Sequence, residues 1–368
     1  MPFPFNVYGV NAMRIVIKVG TQAILSADGT PLDSVMLNLV EQIASLQQSN
    51  HHVVLVSSGA VGSGRNVARQ FLGRQYGSSI GEKQVLASLG QHELMHIYAS
   101  MFRTHNILAS QLLLTKQDFH TRQHYLNIAR LLHEILAHKN IVPIINENDS
   151  VAVEELMFTD NDELAGLIAA QINADKLIIL SNVEGVYTGD PSDPQSQLIP
   201  RISPDEGWPQ VSATKSTHGR GGMLSKLGTA RKMSELGVTT HIASINQANA
   251  ILRIINNVAP GTTILPNKKK SSIKRWIAYN AHMQSGSIVL NACLCAILKE
   301  NKQIISLLPI GIVSAHGDFQ KGDLVEIVSM EGEKIGVGVA RYDAARLKEY
   351  SGLKNKPEFI HYDYLHLF

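Results

Sequence analysis

The chain has 368 residues, more than one core usually organises, so two domains are expected. With 44% hydrophobic and 17% charged residues and a formal net charge of +2, it has the composition of a soluble globular protein. No apolar run approaches the ~20 residues of a membrane span, and residues 1–11 lack the basic flank and apolar core of a signal peptide, so Met13 is a candidate start.

From residue 14 to residue 256, short β-branched runs alternate with longer amphipathic segments. Residues 15–17, 53–56, 107–114, 141–145, 177–180 and 239–243 read as strands; 32–48, 81–103, 125–138, 163–172, 223–236 and 247–256 read as helices. This βαβα alternation predicts a three-layer αβα sandwich around a mainly parallel sheet. Ligands of such folds sit at the carboxyl ends of the strands, so the residues that follow each strand carry the functional argument.

The first strand ends Ile17-Lys18-Val19-Gly20. A lysine inside an apolar strand is costly to bury without an anionic partner, so Lys18 points to an anion contact; the alternative is an edge-strand lysine snorkelling to water. The second strand runs into Ser58-Gly59-Ala60, with Gly59 and Gly64 spaced as in a Walker A loop, but Arg65-Asn66 stands where Lys and Ser/Thr belong. That makes a poor P-loop. What remains is a hydroxyl- and N–H-rich turn suited to a carboxylate or other small anion.

After the strand at 141–145 come two clusters of Asn and Asp, 146–150 and 158–163. Helix capping accounts for part of the second but not for the first. Together, amides and carboxylates suit both ends of an amino acid. Ser181-Asn182 opens a turn-rich stretch to 191 that could line a nucleotide pocket. Next, Arg220-Gly221-Gly222-Met223-Leu224-Ser225-Lys226 places glycines, a hydroxyl and a lysine at the start of a helix, since Met223, Leu227, Ala230 and Met233 share one helical face. Backbone amides at such a helix start favour phosphate. A flexible loop before an ordinary helix is the competing reading.

Residues 258–275 read as a basic linker, with Lys268, Lys269, Lys270, Lys274 and Arg275, and 276–368 as a small, mostly β domain with frequent turns. Cys293 and Cys295 fall in an apolar run; on a strand both would share one face as buried free thiols, fitting a reducing cytoplasm. The histidines show no H-E-x-x-H or similar pairing, and no metal-ligating set is assigned.

Taken together, the segments 17–21, 57–60, 146–149, 160–162, 184–191 and 221–226 resemble the amino acid kinase family, and 276–368 resembles a PUA domain. The resemblance covers nearly the whole chain, with a kinase domain at 13–257, and runs to the members that phosphorylate glutamate. It implies ATP-dependent phosphorylation of the γ-carboxylate of L-glutamate, with Mg2+ and ATP as cofactors, as the first step of proline synthesis. It implies a catalytic set of Lys18, Lys226 and Asp162, the two lysines flanking the transferred phosphoryl group and Asp162 orienting them. Ser58, Gly59, Ala60, Asp149 and Asn161 would bind glutamate. Lys18, Gly20, Ser181, Asn182 and residues 220–226, namely Arg220, Gly221, Gly222, Met223, Leu224, Ser225 and Lys226, would bind the nucleotide. A homo-oligomer in the cytoplasm, with handover of product to glutamyl phosphate reductase, completes what the family implies. The chain departs from the family pattern at Thr159, Asn182, Arg220 and Leu224, mostly on the nucleotide side.

Two rival readings have distinct signatures. Another kinase of the family, acting on acetylglutamate, aspartate, carbamate or UMP, would not be expected to carry the C-terminal domain. An RNA-binding protein would need a basic footprint, yet residues 276–368 hold nine Lys/Arg against ten Asp/Glu. RNA is therefore not expected as a ligand.

Overall fold

The computed structural model describes residues 12–119, 122–151, 158, 160–209, 222–258, 260–267, 277, 284–299 and 305–368. They pack as two units, one spanning the chain up to Lys116 and Ala129–Lys268, the other Gln117–Ile128 and Lys269–Phe368.

In the first unit, β1 (Arg14–Val19), β2 (His52–Ser57), β3 (Leu108–Leu114), β4 (Ile141–Glu147), β5 (Lys176–Ser181), β6 (Arg201–Ile202), β7 (Thr239–Ser244) and β8 (Thr262–Ile264) form one sheet, in the order β3-β4-β2-β1-β5-β7-β8-β6. Strands β3, β4, β2, β1, β5 and β7 are mutually parallel, and β8 turns back antiparallel to β7. All six β-branched runs are therefore strands. The two that the pattern misses, β6 and β8, are two and three residues long, too short to show a period. β8 lies inside the stretch expected as linker, where its pairing with β7 and β6 makes it part of the main sheet. The basic residues 268–270, 274 and 275 lie outside the described residues.

Helices α1 (Thr21–Ile24), α2 (Asp33–Gln48), α3 (Ala60–Leu72), α4 (Ile80–Arg103), α5 (Arg122–Leu136), α6 (Asn161–Gln171), α7 (Met223–Glu235) and α8 (Ala250–Ile255) connect the strands. Strand alternation assigns the sheet faces. Ile15, Ile17 and Val19 of β1 share a core with Met36 and Leu39 of α2, Leu94 and Tyr98 of α4, and Ile251 and Ile254 of α8. Lys18 therefore points to the opposite face, where α6 lies.

Helix α3 is a departure from expectation, since its glycines read as a turn. The turn is only Ser58-Gly59, with Gly59 in the left-handed region at φ +113, and the helix starts at Ala60. Gly64 serves helix packing instead: a Cβ there would fall 1.9 Å from Leu86 O, and one at Gly90 would fall 1.9 Å from Ala60 O. Without those side chains, α3 and α4 lie backbone against backbone.

The second unit holds a five-stranded sheet, β9 (Gly286–Leu290), β10 (Ile312–Gly317), β11 (Leu324–Val328), β12 (Lys334–Val339) and β13 (Leu365–Leu367), in the order β10-β9-β11-β12-β13. Its core gathers Phe319, Val325, Ile327, Leu347 and Phe359. Helices α9 (Ala292–Lys299) and α10 (Ala344–Tyr350) accompany the sheet. The cysteines sit on α9 rather than on a strand. Two residues are roughly 200° apart around a helix, so Cys293 is exposed while Cys295 is buried.

Candidate active site

The end of β1 and the starts of α6 and α7 converge on one buried carboxylate. Asp160 caps α6, its Oδ1 accepting from the backbone N–H groups of Asp162 and Glu163 at 2.9 and 3.1 Å. That cap fixes the first turn and aims Asp162 at the sheet. Lys18 Nζ lies 2.6 Å from Asp162 Oδ1, and Lys226 Nζ lies 3.0 Å from Asp162 Oδ2. Asp162 is fully buried, and Lys18 and Lys226 are 4% and 7% exposed. Burial pushes the Asp162 carboxyl up, but the two ammonium groups outweigh it and hold the pKa below the usual carboxylate value. One anion thus holds two cations at a fixed spacing. The net positive charge of the trio suits a ligand that brings further negative charge.

Next to it lies a set of hydroxyl and amide groups. Asn161, the first residue of α6, donates from Nδ2 to Ser58 Oγ at 2.8 Å and to Asn146 Oδ1 at 2.9 Å. Gly59 and Ala60 form the entry to α3 beside Ser58. Asp149 lies half-buried in the turn after β4. That loop is tied back where Glu147 Oε1 accepts from Phe158 N–H at 2.8 Å. Residues 152–157 and Thr159 lie outside the described residues.

On the other side, Gly222 precedes α7 in an extended conformation and supplies no side-chain cap, so the first amides of the helix face an N-terminus without a capping oxygen from that residue. The expected start of this helix and its buried face, Leu227, Ala230 and Met233, are as the spacing predicted. Lys226 is one turn in. Leu224 is 51% exposed, so its departure from the family pattern faces solvent; Met223 and Ser225 are half-buried. Arg220 and Gly221 lie outside the described residues. Gly20 follows β1, where it precedes α1. Ser181 ends β5, its Oγ accepting from Val183 N–H at 3.2 Å, and Asn182 is exposed.

Sequence reasoning missed the residues that hold these groups. Thr262 of β8 accepts from Val186 N–H at 2.8 Å and donates to Ile199 O at 2.6 Å, pinning the segment after Ser181. Gln91 of α4 accepts from Asn146 Nδ2 at 2.8 Å, and Tyr98 Oη lies 2.9 Å from Ser57 Oγ. Burial raises the Tyr98 hydroxyl well above the usual range, so it stays protonated. These partners are 76, 55 and 41 residues apart in sequence, and no local signal announces them.

Comparison with known proteins places the chain. The profile of the amino acid kinase family matches residues 13–244, and that of the PUA domain matches 286–358. The chain is 40% identical to a glutamate 5-kinase of Bacteroides thetaiotaomicron, over 96% of this chain and 98% of that protein. It is 41% identical to one of Chlorobaculum tepidum, over 96% and 97%, and 37% identical to one of Dictyoglomus thermophilum, over 94% and 91%. With the buried lysine–aspartate–lysine trio at the carboxyl ends of a mostly parallel sheet, these matches mean that the chain belongs to the amino acid kinase family and carries a C-terminal PUA domain.

Proposed function

We propose that this enzyme transfers the γ-phosphoryl group of ATP to the γ-carboxylate of L-glutamate, giving L-glutamyl 5-phosphate and ADP, the first step of proline biosynthesis. The observation that carries the reading is the buried bridge from Lys18 through Asp162 to Lys226, set beside Ser58 and Asn161. A carboxylate oxygen attacks the γ-phosphorus, the bond to the β-bridging oxygen breaks, and ADP leaves with that electron pair. The attacking carboxylate is already ionised at neutral pH, so the site needs no general base. Its task is to bring one anion to another and hold both in line. Lys18 and Lys226 offset the charge that builds on the phosphoryl oxygens, and Asp162 keeps their spacing fixed.

On this reading the nucleotide phosphates meet the open amides of α7, Lys226, Lys18 and the Gly20 backbone, while the segment from Ser181 and Asn182 lines the base side. Residues 220–222 would complete the phosphate cradle. Glutamate would lie against Ser58, Gly59, Ala60, Asp149 and Asn161. Magnesium would neutralise phosphate charge, held chiefly by the triphosphate and water. We place the boundary between the kinase domain and the PUA domain after β8. A cytoplasmic homo-oligomer is the working form that goes with the family. Because water destroys an acyl phosphate, direct handover to glutamyl phosphate reductase fits the product. No described helix is long and apolar enough to cross a membrane.

The test is ADP release by the purified enzyme with ATP and glutamate, acetylglutamate, aspartate, carbamate or UMP in turn. Glutamate should give the highest kcat/KM by at least about a hundredfold, the discrimination expected of a site built to pair buried polar groups. A higher value with any other acceptor overturns the assignment.

A further inference from the structure

Helix α4 reaches both strand ends on the acceptor side of the site. Tyr98 touches Ser57, and Gln91, two turns earlier on the same face, touches Asn146. Gln91 is 8% exposed and Asn146 1%. The backbone contact at Gly64 and Gly90 brings the helix this close.

A backbone group fixes the polarity of the amides. Glu147 N–H can only donate, and it donates to Asn146 Oδ1 at 2.9 Å. The other end of that amide is therefore its NH2 group, which needs an acceptor, and Gln91 Oε1 supplies it at 2.8 Å. Asn161 must then present its own NH2 group to Asn146 Oδ1 and to Ser58 Oγ. Two consequences follow. Asn161 Oδ1 is left buried without a hydrogen-bond partner. Ser58 Oγ, already accepting, keeps its hydroxyl hydrogen to donate. An unmet acceptor beside a free donor complements the ammonium and the carboxylate of an α-amino acid.

We propose that Gln91 is a positioning residue for the phosphoryl acceptor. It holds the Asn146 amide, and through it Asn161 and Ser58, in the one orientation that recognises an α-amino acid; the inference rests on the glutamate reading of this site. Without the Gln91 oxygen, the Asn146 NH2 group is buried unpaired, and the amide turns away to find a partner. Recognition of the ammonium is lost, while the lysine trio is untouched.

The experiment is steady-state kinetics of Gln91→Met and Gln91→Glu with glutamate, with glutarate, which lacks the ammonium, and with ATP. Gln91→Met should raise the glutamate KM about tenfold, the effect of one unpaired buried group. It should lower the preference for glutamate over glutarate by about the same factor and leave the ATP KM within about threefold. Gln91→Glu keeps an acceptor oxygen and should recover the glutamate KM to within about threefold. Gln91→Leu carries the same expectation as Gln91→Met should that variant fail to fold. An unchanged glutamate KM overturns the proposal, as does an equal loss against glutamate, glutarate and ATP, or a Gln91→Glu enzyme as impaired as Gln91→Met. Asn161→Ala, assayed alongside, separates the two levels. If it leaves the glutamate KM unchanged, the reading of the site falls and takes the proposal with it. If it raises the KM while Gln91→Met does not, Gln91 alone is wrongly assigned.

Discussion

Replacing Asp162 by Asn removes the charge that holds two buried ammonium groups 2.6 and 3.0 Å away while keeping the volume of the side chain. Lys18 and Lys226 are then left facing each other with less than a tenth of their surface exposed. Breaking a buried ion pair from one side costs roughly 3–5 kcal/mol, because the remaining charge stays desolvated. Each kcal/mol lowers the melting temperature by roughly 2–4 °C in a domain of this size, so Tm should drop by about 6–20 °C. Turnover should fall by roughly 10²-fold or more, since the lysines lose the geometry set for the phosphoryl group. Thermal unfolding and ADP release measure the two effects. A double variant, Asp162→Asn with Lys226→Met, should regain part of the lost stability by removing one of the repelling charges, although turnover stays low. The pH dependence carries a sign as well. Because the Asp162 pKa is held below its ordinary value, its stabilisation is present above that ordinary value and is lost as pH falls through the lower one. The variant should lack this acid-side loss. An Asp162→Asn enzyme with Tm within about 2 °C of the wild type and kcat within about threefold would show that Asp162 neither holds the lysines nor sets their geometry.

Further outcomes follow from the same geometry. Lys18→Met or Lys226→Met should lower kcat by roughly 10²–10³-fold, the cost of removing one preorganised electrostatic contact, with a much smaller change in the glutamate KM. His241 is 4% exposed in β7, and burial together with the nearby Lys176 pushes its pKa down to about 3. The unfolded chain takes up that proton below its ordinary pKa, so the folded state loses about 2 kcal/mol between pH 8 and pH 5 from this one residue. Chemical unfolding of His241→Gln across that range should show a correspondingly flatter curve. Gly90→Ala sets a Cβ 1.9 Å from Ala60 O, forcing α3 and α4 apart. It should lower stability by at least about 1–3 kcal/mol and raise the glutamate KM, because Ser58 and Gly59 enter α3 at that contact.

Much of this was legible in the chain itself, for reasons that differ by residue. Lys18 stood out because a charge in an apolar strand needs a partner, and that partner is the Asp162 carboxylate. The start of α7 was legible because Gly222 breaks a pattern that Leu227, Ala230 and Met233 then set. Strands β6 and β8 were not, since two or three residues cannot show a period. The glycines of α3 misled because the same residue type serves a turn or a close helix contact, and only the position of α4 decides between them. Cys293 and Cys295 misled for a similar reason, as an apolar run of that length fits strand and helix alike. Gln91 gave no signal at all, because its role depends on a strand 55 residues further along.

On the proposed reading, the buried trio drives transfer to a carboxylate rather than to a hydroxyl or a phosphate. Hydroxylamine added to the reaction with ATP and glutamate traps an acyl phosphate as the γ-hydroxamate. Hydroxamate should form in step with ADP in the wild type and be lost with both lysine variants. ADP released with glutamate but without hydroxamate, or hydroxamate formed undiminished by Lys18→Met and Lys226→Met, would contradict it.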